Sequence, residues 1–295
     1  MPAHPLHRPV LAWYRDHARA LPWRDPGAGP WAVLVSEVML QQTPVARVLP
    51  VYLQWLARWP TPRALAVDSP GEAVRLWGRL GYPRRALRLH AAAVCCVQRH
   101  DAEVPSDLGE LRALPGVGPY TAAAVASFAF GQRHAVLDTN VRRVLSRVLV
   151  GHQFPSGGAA GSSELAAAAA LMPDQPRRAA RWAVAVMELG AVVCTARSPD
   201  CAACPVSDQC RWRTGGYPPW DGPPRRRQGY RGTDRQARGA LLAVLRQAAG
   251  PVSRDALDAS VADTLAPEQR DRALAALVAD GLVQPGEAGC WSLPQ

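Results

Sequence analysis

Apolar residues recur at helical spacing along most of this chain, and proline or glycine separates one run from the next. Apolar side chains three or four residues apart lie on one face of a helix, and that face is then buried. The clearest runs are Trp31–Leu40, Val45–Trp59, Glu72–Leu80, Arg84–Cys96, Thr121–Phe130 and Arg177–Gly190. The pattern predicts a mainly α-helical fold from about Leu6 to Leu171, with a further helix leading into a cysteine-rich segment.

The helical pattern stops at residues 214–231, which are rich in proline, glycine and arginine. Such a composition is typical of an exposed linker. Within it, Arg225, Arg226 and Arg227 are expected to be available to phosphate.

Residues 232–295 are predicted to form a small domain of their own. A first helix begins near Leu241, a second spans Arg270–Asp280, and a short glycine-containing hairpin follows within residues 283–293. This order of elements is similar to that of a winged helix.

Length and composition limit the classes to which the chain can belong. At 295 residues it can bury a large core in two or three domains. No apolar run reaches the roughly 18 residues of a membrane span. The N-terminal residues show no continuous apolar stretch of the kind found in signal peptides. We therefore expect a protein of the reducing cytoplasm that is not bound to a membrane.

The 34 basic residues are all arginine, and with 24 acidic residues they give a formal net charge of +10. Guanidinium groups match phosphate oxygens, so this excess indicates a polyanionic partner, with nucleic acid the leading candidate. Biased codon usage can produce the same composition, so the charge alone does not decide. The absence of lysine also removes the usual amine for Schiff-base chemistry.

Four cysteines near the end of the helical region are spaced C-x6-C-x2-C-x5-C. They are Cys194, Cys201, Cys204 and Cys210. Four thiolates from one short segment suit either zinc or an iron–sulfur cluster. Disulfides are the alternative, but nothing else in the sequence indicates a secreted protein. We therefore expect a metal centre.

A glycine pair separates two of the helical runs, in Leu114-Pro-Gly-Val-Gly-Pro-Tyr-Thr121. Glycines at Gly116 and Gly118 allow backbone amides to point outward at the start of the following helix, where they can bind a phosphate oxygen. An ordinary tight turn between helices is the alternative. In a chain this basic, the spacing favours a helix-hairpin-helix that contacts DNA.

Two carboxylates stand in positions suited to chemistry. Glu37 lies in an apolar run with Val33 and Gln41 one helical turn away, so burial is expected to raise its pKa towards that of a general acid. A buried ion pair with an arginine is the alternative interpretation. Asp138 precedes a predicted helix, where aspartate is a preferred N-cap.

Six short motifs give these positions a family context. They are LPWR (Leu21–Arg24), SEVMLQQT (Ser36–Thr43), RLGY (Arg79–Tyr82), LPGVGPYTA (Leu114–Ala122), VLDTNVRRVL (Val136–Leu145) and MELG (Met187–Gly190). In this order, over about Trp13 to Cys210, the chain resembles the helix-hairpin-helix base-excision DNA glycosylases, specifically the MutY-type adenine DNA glycosylases. The resemblance implies that the cysteine array holds a [4Fe-4S] cluster, which shapes a DNA-binding loop and takes no part in hydrolysis.

The resemblance also implies a division of labour at the active site. Glu37 would protonate N7 of an adenine flipped out of the duplex, and Asp138 would stabilise the oxocarbenium-like sugar or bond to it. Tyr120 stands where bifunctional relatives of the endonuclease III kind carry a lysine. Because tyrosine forms no Schiff base, the enzyme is expected to be monofunctional, with Tyr120 positioning Asp138 or the sugar.

Further contacts to DNA follow from the same resemblance. The wedge that fills the gap left by the flipped base is expected to consist of Gln42, Thr43 and Tyr82. Arg24 and Trp31 are expected near the adenine pocket. Arg197, between the first two cysteines of the array, has the position of a phosphate-contacting residue, although a solvated surface arginine accounts for it equally well.

The domains expected from the resemblance are an iron–sulfur domain, a helical domain, a linker and a C-terminal domain. Their ranges are 1–24 with 136–213, 25–135, 214–231 and 232–295. Two features depart from the family pattern. Residues 232–295 lack the signature of the large C-terminal domain that helps relatives read 8-oxoguanine, and Val184 stands where relatives often place a glutamine or glutamate near the adenine.

The sequence thus predicts a monomeric, monofunctional glycosylase that removes adenine mispaired with 8-oxoguanine or guanine in double-stranded DNA. One alternative is a thymine or uracil mismatch glycosylase, against which the triplet Gln41-Gln42-Thr43 argues. A second is a non-catalytic iron–sulfur DNA-binding protein, against which the presence of Glu37, Tyr120 and Asp138 together argues.

Overall fold

A computed structural model describes residues 4–223, 229, 230 and 232–295 of the chain. Arg225, Arg226 and Arg227, predicted to be available to phosphate, lie outside the described residues. None of the described helices combines the length and the apolar character that crossing a membrane requires.

The described residues are mainly α-helical, as predicted. The helices are α1 (His7–His17), α2 (Gly29–Leu40), α3 (Val45–Arg58), α4 (Pro62–Ala66), α5 (Pro70–Trp77), α6 (Arg84–Arg99), α7 (Leu108–Ala113), α8 (Pro119–Phe128), α9 (Thr139–Leu145), α10 (Ser162–Ala170), α11 (Pro176–Val192), α12 (Arg211–Thr214), α13 (Asp234–Gln247), α14 (Arg254–Ala259) and α15 (Pro267–Ala279). Three short strands, β1 (Val252–Ser253), β2 (Gln284–Pro285) and β3 (Cys290–Ser292), lie near the C-terminal end.

The chain divides into two compact units. The first unit comprises the described residues within Met1–Val33, Ser106–Arg112 and Val117–Pro224. The second unit comprises those within Leu34–Pro105, Ala113–Gly116 and Arg225–Gln295. Each unit contains residues from distant parts of the sequence. The predicted domain boundaries stay a prediction.

The core of the first unit forms where α1, α9, α11 and α12 pack together around buried apolar side chains. Helix α11 begins with Pro176 at its first position, where the missing amide costs nothing. Gly190 lies near its end, and a Cβ there would approach Asn140 to 2.8 Å. This glycine therefore allows α9 and α11 to approach closely, which explains its place in the MELG motif.

A buried ion pair joins two of the family motifs within the first unit. Glu188 of MELG is fully buried. It accepts hydrogen bonds from the guanidinium groups of Arg19, at 2.6 and 2.7 Å, and Arg24, at 2.8 Å. Burial opposes ionisation of Glu188, but the hydrogen bonds from Arg19 and Arg24 prevail and hold its pKa at about 2. The carboxylate is therefore charged at neutral pH, and both arginines are fixed.

Three tryptophans form the centre of the second unit. Trp55, Trp59 and Trp77 are almost fully buried. The Trp55 ring meets Trp59 edge to face at 4.7 Å and Trp77 at 5.7 Å. Such arrangements add to the free energy gained from burial alone. The tryptophans tie α3 to α5.

Helix α5 differs from its prediction, which extended the helix to Leu80. It begins after the N-cap Ser69, whose hydroxyl accepts from the Glu72 amide, and it ends at Trp77. Gly78 follows with φ of +54°, a conformation that glycine adopts without a steric penalty. Leu80 is buried although it lies in a loop. Its apolar character therefore reflects burial of the loop and does not indicate a longer helix.

The C-terminal segment confirms the predicted winged-helix-like order. Helices α13, α14 and α15 accompany an antiparallel sheet of order β1-β3-β2, in which Val252 pairs with Trp291 and Gln284 with Ser292. Helix α14 was not predicted, because its six residues include a single buried side chain, Leu257.

We predict that Glu188→Gln lowers the free energy of unfolding at pH 7 by about 3 kcal/mol, because it leaves two guanidinium groups without their anion. The native pKa of about 2 lies below the ordinary 4.5, so the stabilisation is complete above about pH 4.5 and is lost as the pH falls towards 2. Urea unfolding of both proteins should show a constant difference in the free energy of unfolding from pH 7 to about 5. Below that range the difference should become smaller.

Asp16→Asn provides the control for this measurement, because Asp16 pairs with Arg15 on the surface and solvent screens such pairs. It should leave the unfolding midpoint unchanged. Equal midpoints for Glu188→Gln and the unmodified protein at pH 7 would contradict the structural importance of the ion pair.

Candidate active site and iron–sulfur centre

The predicted helix-hairpin-helix is formed by α7, the hairpin Leu114–Gly118 and α8. Gly116 has φ of +79°, and a Cβ there would approach the Cβ of Arg88 to 2.6 Å. Gly118 is the N-cap of α8, and Pro119 occupies the first helical position. Glycine is thus required by the geometry at position 116, whereas a Cβ at Gly118 would meet no neighbouring atom. Phosphate binding by the hairpin amides stays a prediction.

Asp138 is the N-cap of α9, as its position in the sequence predicts. Its Oδ1 accepts from the Val141 amide at 2.7 Å, and its Oδ2 accepts from the Asn140 side-chain amide at 2.7 Å. Burial raises the pKa of Asp138, and these hydrogen bonds, with the nearby charge of Arg143, oppose the rise. The carboxylate is therefore fixed in position at a helix N-terminus and shielded from water.

A chain of hydrogen bonds leads from Asp138 to the cysteine array within the first unit. The Asn140 side-chain oxygen accepts from Arg143 at 2.8 Å. The same guanidinium group donates to the Gly190 carbonyl at 2.6 Å and the Cys194 carbonyl at 2.8 Å. The carboxylate, α9 and the first cysteine thus share one polar network.

The four cysteines line one small cavity of about 20 Å³ in the first unit. Its walls include Val144, Leu189 and Trp212, and all four thiols are free of disulfides. Arg147, only 1% exposed, donates to the Cys194 sulfur at 3.3 Å and to the Thr195 carbonyl at 2.7 Å. A buried cation at this point favours thiolates over thiols.

The donor set fits an iron–sulfur cluster, since [2Fe-2S] and [4Fe-4S] clusters are both held by four cysteine thiolates. Burial raises the pKa of the Cys204 thiol to about 11 and also raises that of Cys194. The raised pKa keeps the Cys194 and Cys204 thiols protonated at neutral pH, so metal binding must displace their protons. Among the described residues, no compact group of three ligands suited to a lone metal ion is present, so the fit rests on the four thiols around this cavity.

Glu37 lies on α2, in the part of that helix that belongs to the second unit. It is 6% exposed, among Leu34, Val35 and Val38, which are also buried. Glu37 and these three neighbours on α2 are therefore buried together. Its role as a general acid stays a prediction.

Gln42 and Tyr82, two of the predicted wedge residues, lie in left-handed backbone conformations in the second unit. Their φ angles are +57° and +49°, and both side chains are exposed, Tyr82 by 52%. Thr43 is buried instead, and its hydroxyl donates to the Leu80 carbonyl at 3.3 Å. Gln42 and Tyr82 are thus available to DNA, whereas Thr43 joins their two loops.

Arg85 holds these two loops together from α6. It donates at 2.7 to 3.0 Å to the carbonyls of Val38, Met39, Gln41 and Gly81 and to the Thr43 hydroxyl. Its guanidinium group also lies 5.1 Å from the centre of the Trp77 ring. Burial lowers the pKa of Arg85 to about 10, so the group stays charged at neutral pH.

The remaining predicted site residues belong to the first unit. Arg24 is bound to Glu188, Trp31 is buried, and Arg197 is exposed. Tyr120 packs against a small apolar cluster that includes Val136 and Ala183. Their roles towards adenine, phosphate and sugar stay predictions.

Each unit therefore gathers part of the predicted site. Asp138, Tyr120 and the cysteine array share the first unit, whereas Glu37 and the two wedge loops share the second. The sequence did not single out Arg85, Asn140, Arg143 or Arg147. Asn140 and Arg143 lie inside the motif that identifies Asp138, and their separation by three residues, which places them on one helix face, was the signal that could have found them.

Comparisons with known proteins place these features in a family. Residues 35–159 match the family described as HhH-GPD superfamily base excision DNA repair protein, and residues 194–210 match the iron–sulfur binding domain of endonuclease III. The second match begins and ends at cysteines of the array. The fold and these segments define the class as helix-hairpin-helix DNA glycosylases with an iron–sulfur segment.

Curated relatives narrow the class. The adenine DNA glycosylase of Mycobacterium tuberculosis is 52% identical over 99% of this chain and 95% of that protein. The human adenine DNA glycosylase is 44% identical over 69% of this chain and 38% of that protein. This chain belongs to the adenine DNA glycosylase family. Its cofactor is a [4Fe-4S] cluster, for which the four cysteines of the array are the proposed ligands.

Solved structures agree on the fold. A thermostable thymine-DNA glycosylase is similar with a TM-score of 0.64 and 25% identity, over 71% of this chain and 95% of that one. Endonuclease III in a non-covalent DNA complex gives a TM-score of 0.60 at 23% identity, over 72% and 94%. The second likeness shows the fold alone.

We predict that Cys204→Ser lowers both the iron content and DNA binding, since a hydroxyl is a poor replacement for a thiolate ligand. The unmodified protein should contain about four irons per chain. Iron analysis, visible absorbance and a DNA-binding titration measure the effect. Cys290→Ser is the matched control, because Cys290 lies in β3 of the second unit. Stoichiometric zinc without iron in the unmodified protein would contradict the assignment.

Proposed function

We propose that this protein is a monofunctional glycosylase that hydrolyses the N-glycosidic bond of adenine mispaired with 8-oxoguanine or guanine. The observation that carries the proposal is the Asp138 carboxylate, which is half-buried and fixed by two hydrogen bonds. Relatives named as adenine DNA glycosylases, 51 and 52% identical over nearly the whole chain, support the choice of base.

The proposed chemistry divides between two carboxyl groups. Glu37, protonated in its apolar surroundings, donates its proton to adenine N7, which makes the base a better leaving group. The bond from C1′ to the base then breaks, its electron pair leaves with the adenine, and positive charge develops on the sugar. Asp138 stabilises that charge until water adds at C1′.

Tyr120 and the composition of the chain support hydrolysis without strand cleavage. A glycosylase that also cuts the strand forms a Schiff base through an amine. Tyr120 offers none, and the sequence contains no lysine. The product is therefore an intact strand with an abasic site.

The proposed partner is double-stranded DNA that contains an A:8-oxoG or A:G mispair, bound by a monomer in the cytoplasm. Residues 1–231 carry 28 arginines against 16 acidic residues, a balance that favours contact with phosphates. Gln42 and Tyr82 enter the gap left by the flipped adenine, and the hairpin glycines Gly116 and Gly118 bind the backbone. Arg197 adds a further phosphate contact.

A thymine or uracil mismatch glycosylase is the second candidate, favoured by the structural likeness to the thymine-DNA glycosylase. Thymine has no nitrogen in the place of adenine N7. Glu37 would therefore have no equivalent atom to protonate.

Single-turnover cleavage of duplexes with A:8-oxoG, A:G, A:C, T:G and U:G tests the proposal. Adenine should be released and thymine spared. Glu37→Gln should slow adenine release at least about a hundredfold, because glutamine has no carboxylic proton, and it should leave mismatch binding intact. Glu103→Gln, at an exposed position, is the matched control and should behave like the unmodified protein.

Preferred release of thymine from T:G would reject the adenine assignment in favour of the second candidate. Undiminished turnover by Glu37→Gln would instead reject Glu37 as the acid, while it left the substrate assignment standing.

We predict that borohydride traps no covalent complex between this protein and A:8-oxoG DNA, because trapping requires an imine. The product strand should stay intact until it is heated in alkali. A bifunctional endonuclease III with its own substrate provides the positive control. A trapped complex would mean that another amine, such as the N-terminus, attacks the sugar.

A further inference from the structure

The RLGY loop, Arg79–Tyr82, connects α5 to α6 in the second unit. It presents Tyr82 to solvent with φ of +49°, and a residue other than glycine keeps this conformation only where its surroundings enforce it. Part of the restraint comes from Trp77 of α5, whose indole donates to the Gly81 carbonyl at 3.0 Å. The rest of the loop's geometry depends on how the two flanking helices are held.

Helix α5 is bound to α13 of the C-terminal segment by two arginines that act in opposite directions. Arg75 donates to the carbonyls of Arg246 and of Ala248, the latter at 3.0 Å, where α13 ends. Arg246 donates in return to the Val74 carbonyl at 2.9 Å. Each guanidinium group thus satisfies backbone acceptors at the end of the other helix, which would otherwise be left without partners.

The last residues of the chain also contact α5. The Gly71 amide donates to the Pro294 carbonyl at 2.8 Å. A Cβ at Gly71 would overlap that carbonyl oxygen and lie 3.0 Å from the Leu293 Cβ. Backbone contact this close leaves no room for a side chain, so the C-terminal segment is fitted to α5.

The second flanking helix is also engaged. Asp280, which follows α15, accepts from Arg84 at the start of α6 at 3.1 Å, and from Arg238 of α13. A Cβ built at the neighbouring Gly281 would lie 3.9 Å from Leu87. The C-terminal segment therefore contacts both α5 and α6, the helices that flank the RLGY loop.

The charges of this segment argue against direct reading of DNA. Residues 232–295 carry six arginines against eight acidic residues. On α15, the helix that reads DNA in winged-helix proteins of the helix-turn-helix kind, Arg270 pairs with Asp258 and Arg272 with Asp234. Phosphates repel a surface of this sign.

We propose that residues 232–295 act as a buttress, which holds the RLGY loop in one conformation. Tyr82 is then already in position when DNA binds, and this fixed position lets it discriminate 8-oxoguanine from guanine opposite the adenine. The proposal rests on the proposed function, in which Tyr82 contacts DNA. The segment positions Tyr82 through α5 and α6 and does not itself touch the mismatch.

Two variants loosen the buttress at separate points: Arg246→Ala removes a contact with α5, and Asp280→Ala removes a contact with α6. Arg254→Ala is the matched control, because Arg254 pairs with Asp258 and Asp271 inside the C-terminal segment. Iron content, which depends on the first unit, and circular dichroism verify that each variant is folded.

Hydrogen exchange in the protein without DNA is the first measurement. Peptides that cover residues 78–86 should exchange about tenfold faster in Arg246→Ala, since the loss of a buried charge-assisted hydrogen bond changes a local opening equilibrium by that order. Asp280→Ala, whose partner Arg84 is half exposed, should show a smaller increase in the same peptides. Arg254→Ala should show none.

The ratio of single-turnover rates on A:8-oxoG and A:G duplexes is the second measurement. The ratio should fall several-fold in the two buttress variants, and it should fall further in the variant whose loop exchanges faster. It should stay unchanged in Arg254→Ala. Unchanged exchange in both variants would overturn the buttress. Faster exchange with an unchanged rate ratio would overturn its part in specificity.

Arg272→Ala, on the exposed face of α15, distinguishes support of the RLGY loop from direct contact between the C-terminal segment and DNA. Weaker mismatch binding by this variant, together with unaltered exchange in Arg246→Ala, would mean that the segment contacts DNA and would overturn the proposal. If the unmodified protein releases adenine from neither duplex, the proposed function fails, whereas the exchange data still decide whether the loop is buttressed.

Discussion

Buried guanidinium groups that donate to backbone carbonyls hold the functional parts of this chain in place. Arg85 closes the end of α2 and binds the loop before α6, and Arg143 and Arg147 bind the segment that begins at Cys194. Helix ends and loops leave carbonyls without partners, and leaving such groups unsatisfied in the interior is costly. A planar group with five donors can satisfy several of them at once, and the charge strengthens each bond.

This arrangement explains why the Asp138 carboxylate, proposed to stabilise the sugar cation, and the cysteine array belong to one unit. Asp138 caps α9, Asn140 and Arg143 extend its hydrogen bonds, and Arg143 ends at the Cys194 carbonyl. A displacement of the cysteine loop would therefore remove acceptors from Arg143 and disturb the cap. The cluster need not take part in hydrolysis for its loss to affect the carboxylate, since Cys194, one of its proposed ligands, accepts a hydrogen bond from the same network.

The sequence was most informative where local periodicity and local chemistry coincide. The run Val45–Trp59 corresponds to α3, Val45–Arg58, and the N-cap role of Asp138 is confirmed. The end of α5 was mispredicted because Leu80 is buried by tertiary packing in a loop, which periodicity cannot distinguish from a helix. Arg85 was missed for a related reason: its acceptors at Val38 and Met39 lie 47 and 46 positions away, and only the folded chain brings them together.

The strained backbone of Gln42 and Tyr82 in the second unit needs restraint, and the C-terminal segment can provide it although the charge of that segment does not suggest such a role. Gln42 and Tyr82 occupy left-handed conformations, each at a cost of order 1 to 3 kcal/mol for a residue other than glycine. Free loops would relax and spend little time in the geometry that DNA must meet, and the fraction lost would appear as weaker binding. Arg85 restrains the two loops from within, but it lies on α6, so its own position depends on what holds that helix. An acidic segment clamped across α5 and α6 can supply this restraint without adding a single contact to phosphate, and it does so before DNA arrives.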